Sequence, residues 1–424
     1  MVKLLVIADD FTGALDTGVQ FAKQGICTQV FATHHIENAD IKPETEVLVV
    51  NTESRPMEAQ EAYQVVHIIA DWAVRHGIEI IFKKTDSALR GNIGMELQAV
   101  ADTSPEQPLY FLPGYPEMNR ITLNGTQYIS GALLEDSVFG KDPFEPVKKS
   151  YIPDIIREES GVPVTCIGTT ENASSISSCH SEIVVCDMTS MEDLDYRLDN
   201  LISQGLLKRI AGCAALAERL VNKISFHRKE QKSYKKTDSL YVACGSLNQI
   251  TKKQVEYAES HSGFYVRHLT MEQKLIPSYF ETKEGKQFLE EMVELCKKNR
   301  KVIVDTFDQN EDLQQFLSKK NIKQEEVRSR ISEIHGRIVK GILEYKIDTT
   351  ILMTGGDTLM GYMKLAHCTQ LEPVCEIEPG VVVSFLEKNG HKQQVISKSG
   401  GFGTKDILER IANKIITKEK EISI

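Results

Sequence analysis

The chain has 424 residues, 41% hydrophobic and 26% charged, and its 60 acidic against 50 basic side chains leave a net charge of −10. That length suggests two or three domains, each large enough to bury a core without disulfide or metal staples. The balance excludes a fibre, a disordered tail and a small secreted scaffold, and the absence of a basic excess argues against non-specific binding to nucleic acid or anionic membrane.

The first apolar run, LLVIA at Leu4–Ala8, reads as a strand that meets two aspartates, Asp9 and Asp10. It lacks the basic start, long apolar core and small-residue cleavage site of a secretory signal. No stretch of about 18 apolar residues occurs anywhere, so a cytoplasmic protein without membrane spans is expected. The nine cysteines are scattered without a CxxC pair, which fits idle thiols in a reducing compartment and predicts no metal site.

Asp9-Asp10-Phe11-Thr12-Gly13 stands where this strand leaves its sheet. One carboxylate can face a bound hydroxyl or cation while the other anchors the turn or caps the helix that follows. That helix is predicted over Ala14–Gln24, stopped by Gly25. TQVFA, EVLVVN and EIIFK follow as strands, with a helix over Glu58–His76 whose Trp72 belongs to the core; His34-His35 receives no role.

The third strand ends in Asn51-Thr52-Glu53-Ser54-Arg55-Pro56, where Arg55 offers a planar fork to a carboxylate. The next strand end carries Lys83, Lys84, Thr85, Asp86, Ser87 and Arg90, ahead of a helix that starts near Asn92. A helix N-terminus favours an anion by about 0.3–1 kcal/mol. Lys84 or Arg90 can meet a carboxylate while Asp86 holds a hydroxyl, so three polar strand ends point to a small polyhydroxy acid. Strands alternating with helices imply a largely parallel sheet that places ligands at its carboxyl ends.

Between Lys223 and Asp238 the chain is polar and highly charged, and the domain boundary is placed there: one domain over 1–230, a second over 238–424. The pattern restarts with SLYVACGS and a helix over Gln249–Ser260. KVIVDT, a helical region over Lys323–Tyr345 and TTILMTGGDT follow. A hairpin of VVVSFLEK and HKQQVISK, joined by Asn389-Gly390 as a type I′ turn, precedes a last helix over Thr404–Ile416.

Three glycine-bearing turns close strands in this half: Gly245-Ser246, with Thr251 and Gln254 on the next helix; Gly355-Gly356-Asp357-Thr358; and Gly400-Gly401-Phe402-Gly403. Glycines admit phosphate oxygens close to backbone N–H groups, and the three turns together favour a nucleotide phosphate cradle. Neither GxxxxGK[ST] nor GxGxxG occurs, which argues against a Walker loop and a dinucleotide fold.

ADDFTGALDTG from Ala8, NTESRP, KKTDSALRGNIG, PGYPEMNRITLNGTQYISG from Pro113, GSLNQITKKQ, TGGDT and KSGGFG stand in the order seen in the four-carbon acid sugar kinases. The chain resembles that family over nearly its whole length. TDSALRGN looks most like the D-threonate and D-erythronate kinases and less like the 3-oxo-tetronate kinases. The resemblance implies two α/β domains with largely parallel sheets, the first holding the acid sugar and the second ATP, with the active site in the inter-domain cleft.

Carried over position by position, Asp10, Arg55, Lys84, Thr85, Asp86, Ser87 and Arg90, with Asp9 beside them, are implied as substrate-binding. Ser246, Gly355, Gly356, Asp357, Thr358, Gly400 and Gly401 are implied for ATP. Leu247-Asn248-Gln249 departs from the serine and proline that relatives often carry, and nothing is carried over to Tyr151–Cys213. Phosphoryl transfer then calls for ATP with Mg²⁺. Asp10 is expected to position or deprotonate the terminal hydroxyl, with Asp86 as the rival. Arg55, Lys84 and Arg90 would clamp the carboxylate or neutralise the γ-phosphate, and Asp357 is a Mg²⁺-water ligand or a base. A silent sugar-acid and nucleotide sensor, a kinase for another aldonate such as 3-oxo-tetronate, and a hydroxy-acid dehydrogenase are the rival functions. The tetronate epimer and assembly as a homodimer stay open.

Overall fold

The computed structural model describes residues 1–37, 39–104, 106–141, 146–173, 182–246, 248–307, 313–388 and 391–417. The chain divides into two units, Met1–Gln231 and Lys232–Ile424. In both, short runs of branched and aromatic residues form strands buried on both faces, the pattern of a parallel sheet covered by helices.

The first unit contains β1 (Leu4–Ala8), β2 (Thr28–Phe31), β3 (Val47–Asn51), β4 (Ile80–Lys84), β5 (Leu109–Leu112), β6 (Arg120–Leu123), β7 (Thr126–Ile129), β8 (Ala132–Leu133), β9 (Val164–Ile167), β10 (Ile183–Cys186) and β11 (Arg209–Gly212). Its main sheet runs β2-β3-β1-β4-β11-β5-β10-β9, parallel throughout. β6, β7 and β8 form a separate antiparallel meander. The helices are α1 (Phe11–Ala22), α2 (Ala59–Arg75), α3 (Ile93–Ala101), α4 (Ile152–Glu159), α5 (Met191–Ser203) and α6 (Ala214–Leu220).

Residues from α2, α3 and α4, Trp72 among them, join Leu5, Ile7, Leu48 and Val50 in one core. β1 lies between β3 and β4, so the chain leaves it in opposite directions. Such a switch point opens a crevice at the carboxyl ends of the strands.

α1 begins at Phe11 rather than at Ala14. Asp10 holds an extended backbone and its Oδ1 accepts the Gly13 N–H at 2.9 Å, so the cap sits three residues earlier than apolar periodicity alone predicts. The His34 and His35 rings lie against each other, 4.2 Å between centroids.

The second unit contains β12 (Ser239–Cys244), β13 (Tyr265–His268), β14 (Lys301–Asp305), β15 (Thr349–Thr354), β16 (Gln370–Glu378), β17 (Val381–Lys388) and β18 (His391–Lys398). The order is β13-β14-β12-β15-β18-β17-β16, parallel as far as β18, with β17 antiparallel to both its neighbours. Its helices are α7 (Gln249–His261), α8 (Met271–Leu275), α9 (Lys283–Lys298), α10 (Leu313–Lys320), α11 (Glu326–Glu344), α12 (Gly356–Ala366) and α13 (Ile407–Ile415).

Val255 and Ala258 of α7 and Ile407, Leu408 and Ile411 of α13 pack on Val242, Leu352 and Ile396 in one core. β12, between β14 and β15, is the switch point of this sheet. The hairpin turn expected at Asn389-Gly390 lies outside the described residues. Among those described, no helix is long and apolar enough to cross a membrane.

Candidate active site

Asp9 and Asp10 follow β1 and differ in exposure. Asp9 is buried, and its Oδ2 accepts the Arg55 Nε–H at 2.7 Å. Asp10 stays partly open, and its capping Oδ1 also meets Arg55 Nη2 at 3.0 Å. One guanidinium therefore holds both acids. Among the described residues no hydrogen bond reaches Asp10 Oδ2, and Asp9 Oδ1 is buried without a partner. Burial alone would raise the Asp9 carboxyl, but the Arg55, Lys83 and Lys84 cations outweigh it and hold the group below the ordinary aspartate value. Burial would likewise depress Arg55, and the Asp10, Asp9 and Asp86 carboxylates lift it well above its usual value instead.

The loop after β3 presents Arg55. Thr52 Oγ1 donates to Ala8 O at 2.7 Å, and Glu53 takes a left-handed φ of 51°, stabilised as its N–H donates to Asn51 Oδ1 at 3.2 Å. Asn92 pins the same loop by donating from Nδ2 to Ser54 O and Met57 O, both at 2.9 Å. A left-handed non-glycine residue costs about 1–3 kcal/mol and persists where its surroundings over-determine it.

At the end of β4 the two lysines part company. Lys83 is fully buried and pairs with Glu96 Oε2 of α3 at 2.9 Å. Sequence reasoning gathers Lys83 with the pocket cations; its charge is instead spent inside the protein. Burial keeps the Glu96 carboxyl above its ordinary value despite Lys83. Lys84 donates from Nζ to Thr85 O at 2.7 Å and stands at the first turn of α1, where a Cβ on Gly13 would come within 2.9 Å of it. No described carboxylate forms an ion pair with Lys84.

Asp86 is gripped from both oxygens by Arg90, Nε to Oδ2 at 2.7 Å and Nη2 to Oδ1 at 3.2 Å. Burial pushes its carboxyl up, but Arg90 and Arg55 pull it far below the usual range. A carboxylate so held is a poor proton acceptor. Thr85 Oγ1 is buried and unpartnered, and Ser87 Oγ accepts from Arg120 Nη1 of β6. Arg120 escapes sequence reasoning because a hairpin arginine carries no periodic signal, although it lies within the PGYPEMNRI segment.

In the second unit the three glycine turns meet. Thr251 Oγ1 lies 3.2 Å from Ser246 Oγ and donates to Gly400 O at 2.8 Å, and a Cβ on Gly400 would come within 2.6 Å of Ser246 Oγ. Gln254 Nε2 donates to Phe402 O and Gly403 O at 3.0 and 2.9 Å. A Cβ on Gly245 would collide with Thr358 Oγ1, which donates to Thr354 O at 2.8 Å. Gly355, at φ 90°, and Gly356 open α12, while Gly401 has open space around it.

Asp357 points outward, with 60% of its side chain exposed and Arg328 Nε 3.6 Å from Oδ2. Lys398 is buried beside this cradle, its Nζ donating to Ser399 O at 2.9 Å, and burial lowers it to about 8. Asp305, at the end of β14, is buried and meets His268 Nδ1 at 2.8 Å; a lone acid closing an apolar strand gives no sequence signal for that pairing. Among the described residues no group of three His, Cys, Asp or Glu side chains could hold a metal ion.

These features define an α/β protein with a charged, hydroxyl-lined strand edge in one unit and a glycine cradle of phosphate-binding type in the other. The chain belongs to the four-carbon acid sugar kinase family: the sugar-binding N-terminal domain matches residues 4–220 and the nucleotide-binding C-terminal domain residues 241–408. A D-threonate kinase of Salmonella typhimurium is 27% identical over 422 residues, covering 96% of this chain and 97% of its own. A D-erythronate kinase of Heliobacterium modesticaldum is 24% identical over 436 residues, covering 99% and 98%. A crystal structure of a Haemophilus influenzae protein of family DUF1537 shares the fold, with a TM-score of 0.72 at 20% identity over 97% of this chain and 100% of that one.

Proposed function

We propose that this protein transfers the γ-phosphoryl group of ATP to the terminal hydroxyl of D-threonate or D-erythronate, giving the 4-phosphate, in the cytoplasm. The observation that carries the reading is Asp10. Its Oδ1 is fixed by the Gly13 N–H and Arg55, which leaves Oδ2 to take the hydroxyl proton as the P–O bond forms. Asp86, locked by Arg90, serves the loop rather than the proton. Lys84 and the first turn of α1 bring positive charge to the transferring group, which is most of what phosphoryl transfer asks of a protein.

The glycine cradle supports ATP as the donor, since added Cβ atoms at Gly245 or Gly400 would fill space beside Ser246 and Thr358. Asp357, the exposed carboxylate at the start of α12, would meet Mg²⁺ through water, and the ion would supply neutralisation of phosphate charge. The free thiols fit a reducing cytoplasm. The test is ADP release with ATP, Mg²⁺ and a panel of tetronates and other aldonates. D-threonate or D-erythronate should give ADP, and a panel with no ADP above background would leave a sensor instead.

Two further outcomes follow. Gly245→Ala should raise the ATP KM about tenfold with little change in the tetronate KM, because overpacking strain of about 1–3 kcal/mol falls on Thr358. Steady-state kinetics with each substrate varied checks it, and equal rises in both KM values count against it. Lys398 gives a proton signal. Burial depresses its ammonium to about 8, and a bound phosphate would favour the charged form, so ATP binding near pH 8 should take up protons. Calorimetry in buffers of different ionisation enthalpy reads the uptake, and Lys398→Met should abolish it. The same uptake in the variant would detach Lys398 from nucleotide binding.

A further inference from the structure

Among the described residues Arg120 forms no ion pair with an acid, although the Asp86 charge acts on it from further away. Its backbone is fixed by two hydrogen bonds with Tyr115, from Tyr115 N to Arg120 O at 2.7 Å and from Arg120 N to Tyr115 O at 3.1 Å. The preceding Asn119 turns the chain with a left-handed φ of 54°. From there the side chain reaches Ser87 Oγ, and its guanidinium lies 5.0 Å from the Phe139 ring, which the Arg90 guanidinium also approaches, at 5.3 Å.

Two guanidinium groups beside one ring repel unless each has a counter-charge. Arg90 has Asp86; Arg120 forms no ion pair with any described carboxylate, and the one described hydrogen-bond partner of its guanidinium is the neutral Ser87 hydroxyl. Burial accordingly pushes its guanidinium below the ordinary value, with the Asp86 charge only partly opposing this. Two residues before Ser87, Thr85 Oγ1 is fully buried and has no partner among the described residues. A planar cationic fork, a hydroxyl and an unsatisfied second hydroxyl together lack a planar anion with hydrogen-bonding neighbours.

We infer that Arg120 receives the carboxylate of the acid-sugar substrate, with the Ser87 and Thr85 hydroxyls beside it, and so sets the preference for an acid over a neutral polyol. This rests on the kinase reading above and names its specificity residue. The other cations are committed elsewhere: Arg55 to Asp9 and Asp10, Lys83 to Glu96, Arg90 to Asp86. Lys84 stands with Asp10 at the start of α1, the reacting end. β1 and β4 are paired neighbours that end together at Ala8 and Lys84, so Asp10 and the Ser87 loop leave the sheet from adjacent strand ends.

The test compares wild type, Arg120→Met, Arg120→Ala and Arg120→Lys in steady-state kinetics, with calorimetric titration of D-threonate and D-erythronate in the absence of ATP. Loss of a charge-assisted fork should raise the tetronate KM about 100-fold in Arg120→Met while the ATP KM holds and kcat falls much less. Arg120→Lys should recover part of the loss, and added guanidinium should partly restore Arg120→Ala, a rescue that a merely structural role would not give. Equal tetronate affinity in wild type and Arg120→Met overturns the assignment, as does a loss confined to kcat or shared with the ATP KM. Tetronate bound by wild type but never phosphorylated removes the kinase reading and leaves the Arg120 comparison standing. A wild type that binds neither tetronate overturns both.

Discussion

Asp10→Asn should lower kcat for the tetronate by about 10²–10⁴-fold, the range a positioned general base supplies, while ATP binding persists. The substitution is chosen to spare the fold. Asparagine caps a helix as well as aspartate, so α1 keeps its start and Gly13 keeps its acceptor. Arg55 keeps its 2.7 Å partner in Asp9. What disappears is the charge on Oδ2, the oxygen no described residue engages. Asp86→Asn is the control. It loosens Arg90 and should lower the melting temperature, with a smaller drop in kcat. If Asp86→Asn stays folded and loses as much turnover as Asp10→Asn, the base has been assigned to the wrong strand end.

Lys83→Met should destabilise the first unit by about 3–5 kcal/mol, the usual consequence of removing one partner from a buried ion pair. Lys83 and Glu96 have side-chain exposures of 0% and 1%, so no water replaces the lost ammonium. The Glu96 carboxyl, already above its ordinary value through burial, would rise further. A carboxyl raised above its unfolded value contributes stability below that unfolded value and loses it as pH rises through the folded one. The deficit of Lys83→Met should therefore be largest near neutral pH and shrink on acidification. Lys83→Met combined with Glu96→Leu should recover most of the loss, because an apolar pair of similar volume carries no stranded charge. Urea denaturation at several pH values checks both points; a loss below about 1 kcal/mol for the single variant would mean the pair is not the buried tie described.

The difference between Lys83 and Lys84 marks where sequence reasoning stops. KKTD at a strand end announces cations at a ligand edge, yet alternation along β4 sends one lysine inward to Glu96 and the other to α1. Which lysine goes where depends on the acid that α3 brings back from Glu96, a contact between distant segments. The strands themselves were legible because runs such as LLVIA, EVLVVN and TTILMT are buried on both faces, and glycine turns mark their ends. α1 starts three residues before the apolar periodicity predicts, since Asp10 caps it from outside that pattern. Arg55 and Arg90 are legible as residues of the strand ends, but their acid partners, Asp9 and Asp10 for one and Asp86 for the other, are not. Arg120 comes from a meander whose pairing with the β4 loop no local pattern encodes.

The position of the phosphate on the product tests the central claim most directly. Incubation with ATP, Mg²⁺ and D-threonate or D-erythronate, followed by proton-coupled phosphorus NMR, distinguishes a primary from a secondary ester. Transfer to the terminal hydroxyl predicts a sugar-phosphate resonance split into a triplet by the two protons on C4. A doublet, from phosphate on a carbon bearing one proton, would contradict the placement of the reacting hydroxyl at Asp10, and the absence of any phosphorylated acid would contradict the kinase reading itself.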